Sequence, residues 1–189
     1  MQVMGSTGKF QPIEPIPADL LQEPLIWFFA EHYRHRDLCA RLLSAMQSVV
    51  FDEPALREIY RFLDEDLPLH VIDEEDDLFP LLRRRCEPDD QIGKVLGMLS
   101  AEHANDMSEA AAVKQIVATA LAEQRGLACY KNAVQVIEPF CFQQKRHIAV
   151  ENAVVLPIAR HRLTVEDLDN LARRLAARRG LNDPFADAS

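Results

Sequence analysis

One metal-ligand spacing occurs twice in this chain, and it limits the possible folds more than any other feature. His70 and Glu74 stand four residues apart, and the same pair returns 77 residues later as His147 and Glu151. The surroundings return too. Pro80 follows His70 by ten residues, Pro157 follows His147 by ten, and Arg83 and Arg85 match Arg160 and Arg162. Ala30-Glu31-His32 recurs as Ala101-Glu102-His103, 71 residues on. Two helical hairpins of one design, packed together, produce a repeat of this kind. Residues four apart on a helix share one face. Each pair can therefore turn an imidazole and a carboxylate toward one metal, or straddle two. Imidazole suits iron, zinc, copper and nickel, and carboxylate adds hard oxygen character.

Helical patterning extends along almost the whole chain, and no alternation of apolar and polar residues competes with it. The sequence predicts an all-α fold: an antiparallel up-down-up-down four-helix bundle with a short C-terminal fifth helix. Residues 1–23 read as an irregular N-terminal arm, with three prolines before residue 18. The bundle is expected over residues 24–163 and a C-terminal helix and tail over residues 164–189. The expected helices run from about Pro24 to Val50, then to Cys86, from Gln91 to Gln124, and from Leu127 to Arg162. Arg125-Gly126 is read as the end of the third. Thr164 is a suitable cap for the fifth, with Asp167 in its first turn and Gly180 beyond its end. Pro68, Pro80, Pro139 and Pro157 fall inside or near the ends of these helices, where proline bends or stops a helix.

The helix lengths bring the repeated residues to one level. His32 to Val50 and Pro54 back to His70 span about 27 and 24 Å of helix. His70 to Cys86 and Asp90 to His103 span about 24 and 20 Å, and His103 to Gln124 and Leu127 to His147 about 32 and 30 Å. In an up-down-up-down arrangement, four imidazoles and two carboxylates therefore meet at one depth of the core. Six buried polar groups without a partner would carry a large desolvation cost, which a metal removes.

Composition removes several alternatives. The net charge of −9 excludes a general nucleic-acid binder, which needs clustered cations for phosphate. The basic segment 173–179 is read as the solvated face of the last helix. No apolar stretch is long enough to cross a membrane. The start of the chain shows no basic-then-apolar leader, so a cytoplasmic protein is expected. Cys39, Cys86, Cys129 and Cys141 form no CxxC pair and are read as free thiols.

The ordered set His32, His70-x-x-x-Glu74, Glu102-His103, His147-x-x-x-Glu151 resembles the hemerythrin-like HHE cation-binding domains. The segment from Leu69 to Glu75, followed by Leu78-Phe79-Pro80-Leu81-Leu82, carries the resemblance most closely, and the likeness covers about residues 24–163. It implies a site for two iron ions, with zinc or another divalent metal as the alternative, and oxygen-linked chemistry. His32, His70, His103 and His147 would be imidazole ligands, and Glu74 and Glu151 would bridge the metals. The oxygen-carrying members add a histidine four residues after the third-helix one. Met107 stands there in this chain, so a reversible oxygen carrier is not expected.

The remaining residues divide as follows. His35 competes with His32 for the first-helix position or supplements it. His161 lies about 21 Å along the helix from His147 and is excluded. Glu31 and Glu102 either orient their neighbours or face water. The run 73–77 is read as a solvated acidic face with Glu74 turned inward, and Trp27, Phe28 and Phe29 as core. The function expected is a metal-binding protein that senses or handles dioxygen, nitric oxide or iron. The alternatives are an enzyme reducing oxygen, peroxide or nitric oxide species at the same site, and a regulatory bundle with a structural metal.

Overall fold

The computed structural model describes residues 11–186, all-helical and without strands among them. α1 is Pro24–Met46. α2 occupies residues 53–85, α3 is Ile92–Glu123, α4 occupies residues 133–162, and α5 is Val165–Arg178. The helix content agrees with the sequence reading, but two ends differ. α1 stops at Met46 rather than Val50, and α4 starts at Ala133 rather than Leu127, because Leu127–Cys129 forms a separate 3-10 turn. Of the expected arm, residues 1–10 lie outside the described residues. Residues 11–17 are irregular, and Ala18–Gln22 makes one 3-10 turn that buries Leu21.

The helices pack as a helical bundle in which α1 touches α2, α4 and α5, and α3 touches α2 and α4. Two apolar clusters fill it. One gathers Leu38, Leu42, Phe62, Val113, Val117 and Phe140. The other gathers Phe28, Phe79, Leu82, Leu96, Leu99 and Leu171. Every histidine–glutamate position named above lies between them. Along α1 and α3 the second cluster comes first in sequence, and along α2 and α4 the first cluster does. The polar layer is thus sealed above and below by packed side chains. Trp27 and Phe28 are buried as expected, but Phe29 is 55% exposed and lines an outer groove.

The interior prolines have a consistent consequence. The N–H groups of Leu67, Phe79 and Leu156 bond to carbonyls five residues back, on Phe62, Glu74 and Glu151, which makes three π-helical turns. Pro68, Pro80 and Pro157 each come next in the chain. A proline ring crowds the carbonyl four residues back and offers no N–H. The wider turn just ahead of it relieves both problems within a continuous rod. Two of these turns begin the bonding at Glu74 and Glu151 themselves, so the repeat seen in sequence is also a repeat of backbone shape. Pro139 sits in regular α-helix, Ala133–Val150, without such a turn.

Gly126 has a different role from the helix stop expected of it. α3 ends at Glu123, and the next residue, Gln124, caps it in the left-handed conformation at φ 53°. Gly126 is needed because a Cβ there would lie 2.4 Å from both Ser48 O and Val49 C. Ala128 N–H donates to Ser48 O at 3.1 Å and holds this close approach. Gly126→Ala is therefore expected to destabilise the protein by about 1–3 kcal/mol, as other overpacked sites do. Urea unfolding checks this, and an unchanged midpoint would contradict it.

α5 begins as the sequence predicts. Thr164 Oγ1 accepts from Asp167 N–H, and Asp167 Oδ2 accepts from Thr164 N–H, both at 3.1 Å. Asp167 also accepts two hydrogen bonds from Arg85, at 2.7 and 3.0 Å, which fasten α5 to the end of α2.

Candidate metal centre

α1 supplies His32, α2 supplies His70 and Glu74, α3 supplies His103, and α4 supplies His147 and Glu151. The structure brings all six together in two overlapping groups. His32, His70, Glu74 and Glu151 form one, and Glu74, His103, His147 and Glu151 the other; within each, the candidate ligand atoms lie within 4.8 Å of one another. Each histidine belongs to one group, and the two glutamates belong to both. His32 Nε2 is 3.7 Å from Glu74 Oε1 and 3.4 Å from Glu151 Oε2. His70 Nε2 and His103 Nε2 are 3.6 and 3.2 Å from Glu74 Oε2, and His147 Nε2 is 2.8 Å from Glu151 Oε1.

The outer ring nitrogens explain why the Nε2 atoms converge. His70 Nδ1 lies 3.0 Å from Glu31 Oε2, and His147 Nδ1 lies 3.2 Å from Glu102 Oε2. His103 Nδ1 lies 2.6 Å from Glu75 Oε1, and His32 Nδ1 lies 2.7 Å from Asn152 Oδ1. Each of these oxygens accepts from an Nδ1–H, so that a neutral ring turns its Nε2 lone pair inward. The internal repeat organises this outer ring as well. The glutamate of each Ala-Glu-His orients the histidine of the partner HxxxE helix. The residue after each HxxxE orients a histidine of an Ala-Glu-His. Glu31 and Glu102, left open by sequence between orienting and solvated, both orient.

Donor chemistry and burial fit a metal. His32 Nε2, His147 Nε2, and all four carboxylate oxygens of Glu74 and Glu151 are buried without a hydrogen-bond partner. Imidazole nitrogen with carboxylate oxygen is a donor set for iron and similar divalent ions. His35 joins neither group. Its ring is 4.5 Å from that of His70 and 5.1 Å from that of Phe62. Burial, then the neighbouring His70 and His32, hold its pKa well below the ordinary value, so it stands neutral beside the centre. His161 is exposed, away from the site.

A family comparison decides what kind of domain this is. The model of the hemerythrin HHE cation binding domain matches residues 24–159. The chain belongs to this family. No curated protein and no solved structure matched it. The HHE domain takes in α1 to α3 and most of α4, with both groups of the centre, and leaves α5 outside.

α5 nevertheless reaches the HHE centre, and this corrects two readings of the sequence. The run 73–77 is not a solvated face: Asp73 and Asp77 are buried, Glu75 is half-buried, and Asp76 alone is exposed. The basic segment is not a free surface either. Arg174 pairs with Asp77, Arg178 with Asp73 and Asp77, and Arg179 with Glu31 and Asp73. Sequence reasoning also passed over Asn152, and over Asp106 and Gln144. Gln144 Nε2 donates to Asp106 Oδ2 at 2.9 Å. These two line a cavity of about 10 Å³ with His35, His70, His103 and His147, room for about one water-sized molecule. Met107 packs against an apolar cluster instead. All four cysteines are free, with Cys39 and Cys141 buried.

Without metal, protons hold the HHE centre together. Burial alone pulls the His70 pKa down, but Glu74 and Glu31 overcome it and raise it to about 10. Glu151 likewise overcomes burial at His147 and raises it to about 9. Burial pushes Glu74 up, yet His70, His103 and His32 hold it well below its ordinary value. The raised histidines contribute stability that is complete below the unfolded value of 6.5 and is lost as pH rises through about 9 and 10. Glu74 contributes above its unfolded 4.5 and loses its contribution as pH falls through its lower folded value. Metal-free protein is therefore expected to become less stable from pH 6.5 to pH 10. Urea midpoints across that range check this, and a flat or rising profile would contradict it.

Proposed function

We propose that this HHE domain is a non-haem di-iron protein acting in the sensing or handling of dioxygen, nitric oxide or iron. One observation carries the reading: Glu74 and Glu151 are common to two otherwise separate histidine pairs. In this assignment His32 and His70 would hold one ion and His103 and His147 the other, with Glu74 and Glu151 shared between them. The alternating order of the two apolar clusters supports helices α1–α4 running antiparallel, up-down-up-down, with α5 as a short fifth helix. The bundle is assigned to residues 24–163, between an arm at 1–23 and a helix and tail at 164–189. The free thiols fit a cytoplasmic protein. Net charge and the paired α5 arginines support no nucleic-acid role. No helix among the described residues is long and apolar enough to cross a membrane.

A pair of iron ions held there would supply redox chemistry and open positions for a small ligand. The chain would shape where that ligand sits: a cavity with room for about one water-sized molecule lies beside His70, His103 and His147. It also favours a second reading, an enzyme that reduces oxygen, peroxide or nitric oxide species. Burial raises the Asp106 pKa above the ordinary carboxyl value, and Gln144 Nε2 fixes one of its oxygens, which places a titratable carboxyl at the cavity wall. Steady turnover of peroxide or nitric oxide would favour the enzyme.

Elemental analysis after anaerobic reconstitution with iron(II) is expected to approach two irons per chain. Saturation near one, or no binding, removes the di-iron reading. Reduced protein exposed to air and then to vacuum is expected to stay oxidised, because Met107 offers no closing ligand. Repeated return to the colourless state without reductant would show a carrier instead.

A further inference from the structure

We infer that α5, outside the HHE domain, completes the metal centre through Arg179, a positioning residue that acts on His70 by way of Glu31. The inference rests on the metal-binding reading above and extends it to a part of the chain the family match does not reach. Arg179 follows the last residue of α5. Its Nη2 donates to Glu31 Oε1 at 2.7 Å and to Asp73 Oδ2 at 2.6 Å. Glu31 Oε2 accepts from His70 Nδ1 at 3.0 Å. Asp73 directly precedes Glu74 in the chain. One guanidinium thus ties the carboxylate behind a candidate ligand to the backbone neighbour of a candidate bridge.

The guanidinium itself is fixed on three sides. Nη1 donates to Leu175 O at 3.0 Å, and the group stacks over the Trp27 ring at 4.9 Å. Glu31 and Asp73 are buried, 4% and 0% exposed, so their anionic forms need a partner there. The other half of the repeat contains the same device. Glu102, which orients His147, is paired with Arg146. That arginine comes from α4, inside the HHE domain; the arginine for Glu31 is the residue that caps α5, outside it. An aspartate or glutamate that orients a ligand imidazole raises its basicity and fixes its tautomer, and loss of such support costs about 10–100-fold in metal affinity.

The test measures iron(II) affinity of the full chain anaerobically, by competition with a chromophoric chelator. Arg179→Gln is expected to weaken one of the two ions about 10-fold or more. Arg174→Gln, which removes another α5 ion pair but touches neither Glu31 nor Asp73, should stay within about twofold. Glu31→Gln should match Arg179→Gln, and the double variant should be no worse than the weaker single one, because both act along one path. Arg179→Lys should recover part of the loss. Should Arg179→Gln fail to fold, the comparison of Glu31→Gln with Arg174→Gln decides, and a folded Glu31→Gln of unchanged affinity overturns the inference. Unchanged affinity in folded Arg179→Gln overturns it, as does an additive double variant. A wild-type chain that binds no iron refutes the metal-binding reading itself, whereas two irons bound equally by wild type and Arg179→Gln refute this inference alone.

Discussion

Iron-loaded protein is expected to melt about 10–20 °C above the metal-free form. An ion that binds only the folded chain stabilises it by about 2.7 kcal/mol when free ion is a hundredfold above the dissociation constant. Two ions give roughly 5 kcal/mol, and each kcal/mol moves the melting point of a domain this size by about 2–4 °C. The unfolded chain is a poor competitor, since its ligands are spread from His32 to Glu151. The folded chain gathers them and leaves six buried donor atoms without partners. His70→Ala or His147→Ala should blunt the response, because each removes one imidazole from one group. Circular dichroism melts with and without chelator check the shift. Coincident curves for wild-type protein would place the metal elsewhere or nowhere.

The repeat made the centre legible because it fixed two quantities at once. Four-residue spacing put His70 with Glu74, and His147 with Glu151, on single helix faces, and matched helix lengths returned four histidines to one level. The six residues named from these arguments do meet between the two apolar clusters. The choice between His32 and His35 depended on the Ala-Glu-His repeat, and the structure puts His32 in a donor group and His35 beside it. The prolines announced irregular helix, but not its form. A π turn changes bonding by one residue without breaking the rod, and no composition rule separates that from a bend.

The acidic run shows where the reading failed and why. Asp73 and Asp77 follow His70 by three and seven residues, so helical phase puts them on the buried face with it. Judging the run by its charge hid that phase. Their cationic partners lie about a hundred residues away, with Arg178 and Asp73 separated by 105. Both segments look solvated when read alone. Two buried acids and three arginines make sense only once α5 lies against α2, a long-range contact that one sequence cannot reveal. The Gly126 misreading has the same origin, since its reason is the Ser48–Val49 backbone, more than 75 residues earlier.

Glu74→Gln is expected to abolish binding of both ions at concentrations that saturate the wild type, whereas His103→Ala should spare the first ion. The difference follows from membership. Glu74 belongs to both donor groups and His103 to one. Glu74 has His32 and His70 on one side and His103 on the other, at 3.2–3.7 Å from its oxygens. An amide keeps the shape but loses the charge and one of the two acceptor oxygens, so it cannot bridge two cations. Removing one partner from a buried charged assembly costs about 3–5 kcal/mol, a loss of roughly 10²–10⁴-fold in affinity at each position. The same change acts on the metal-free protein in a predictable direction. Glu74 is the leading cause of the raised His70 pKa once burial is set aside, so His70 in Glu74→Gln should titrate below its wild-type value of about 10. Isothermal titration with iron(II) under nitrogen gives the stoichiometry, and NMR of the metal-free variant gives the histidine titration. Two ions bound with wild-type affinity by Glu74→Gln would mean that Glu74 does not bridge, and the two groups would then have to be reassigned as independent sites.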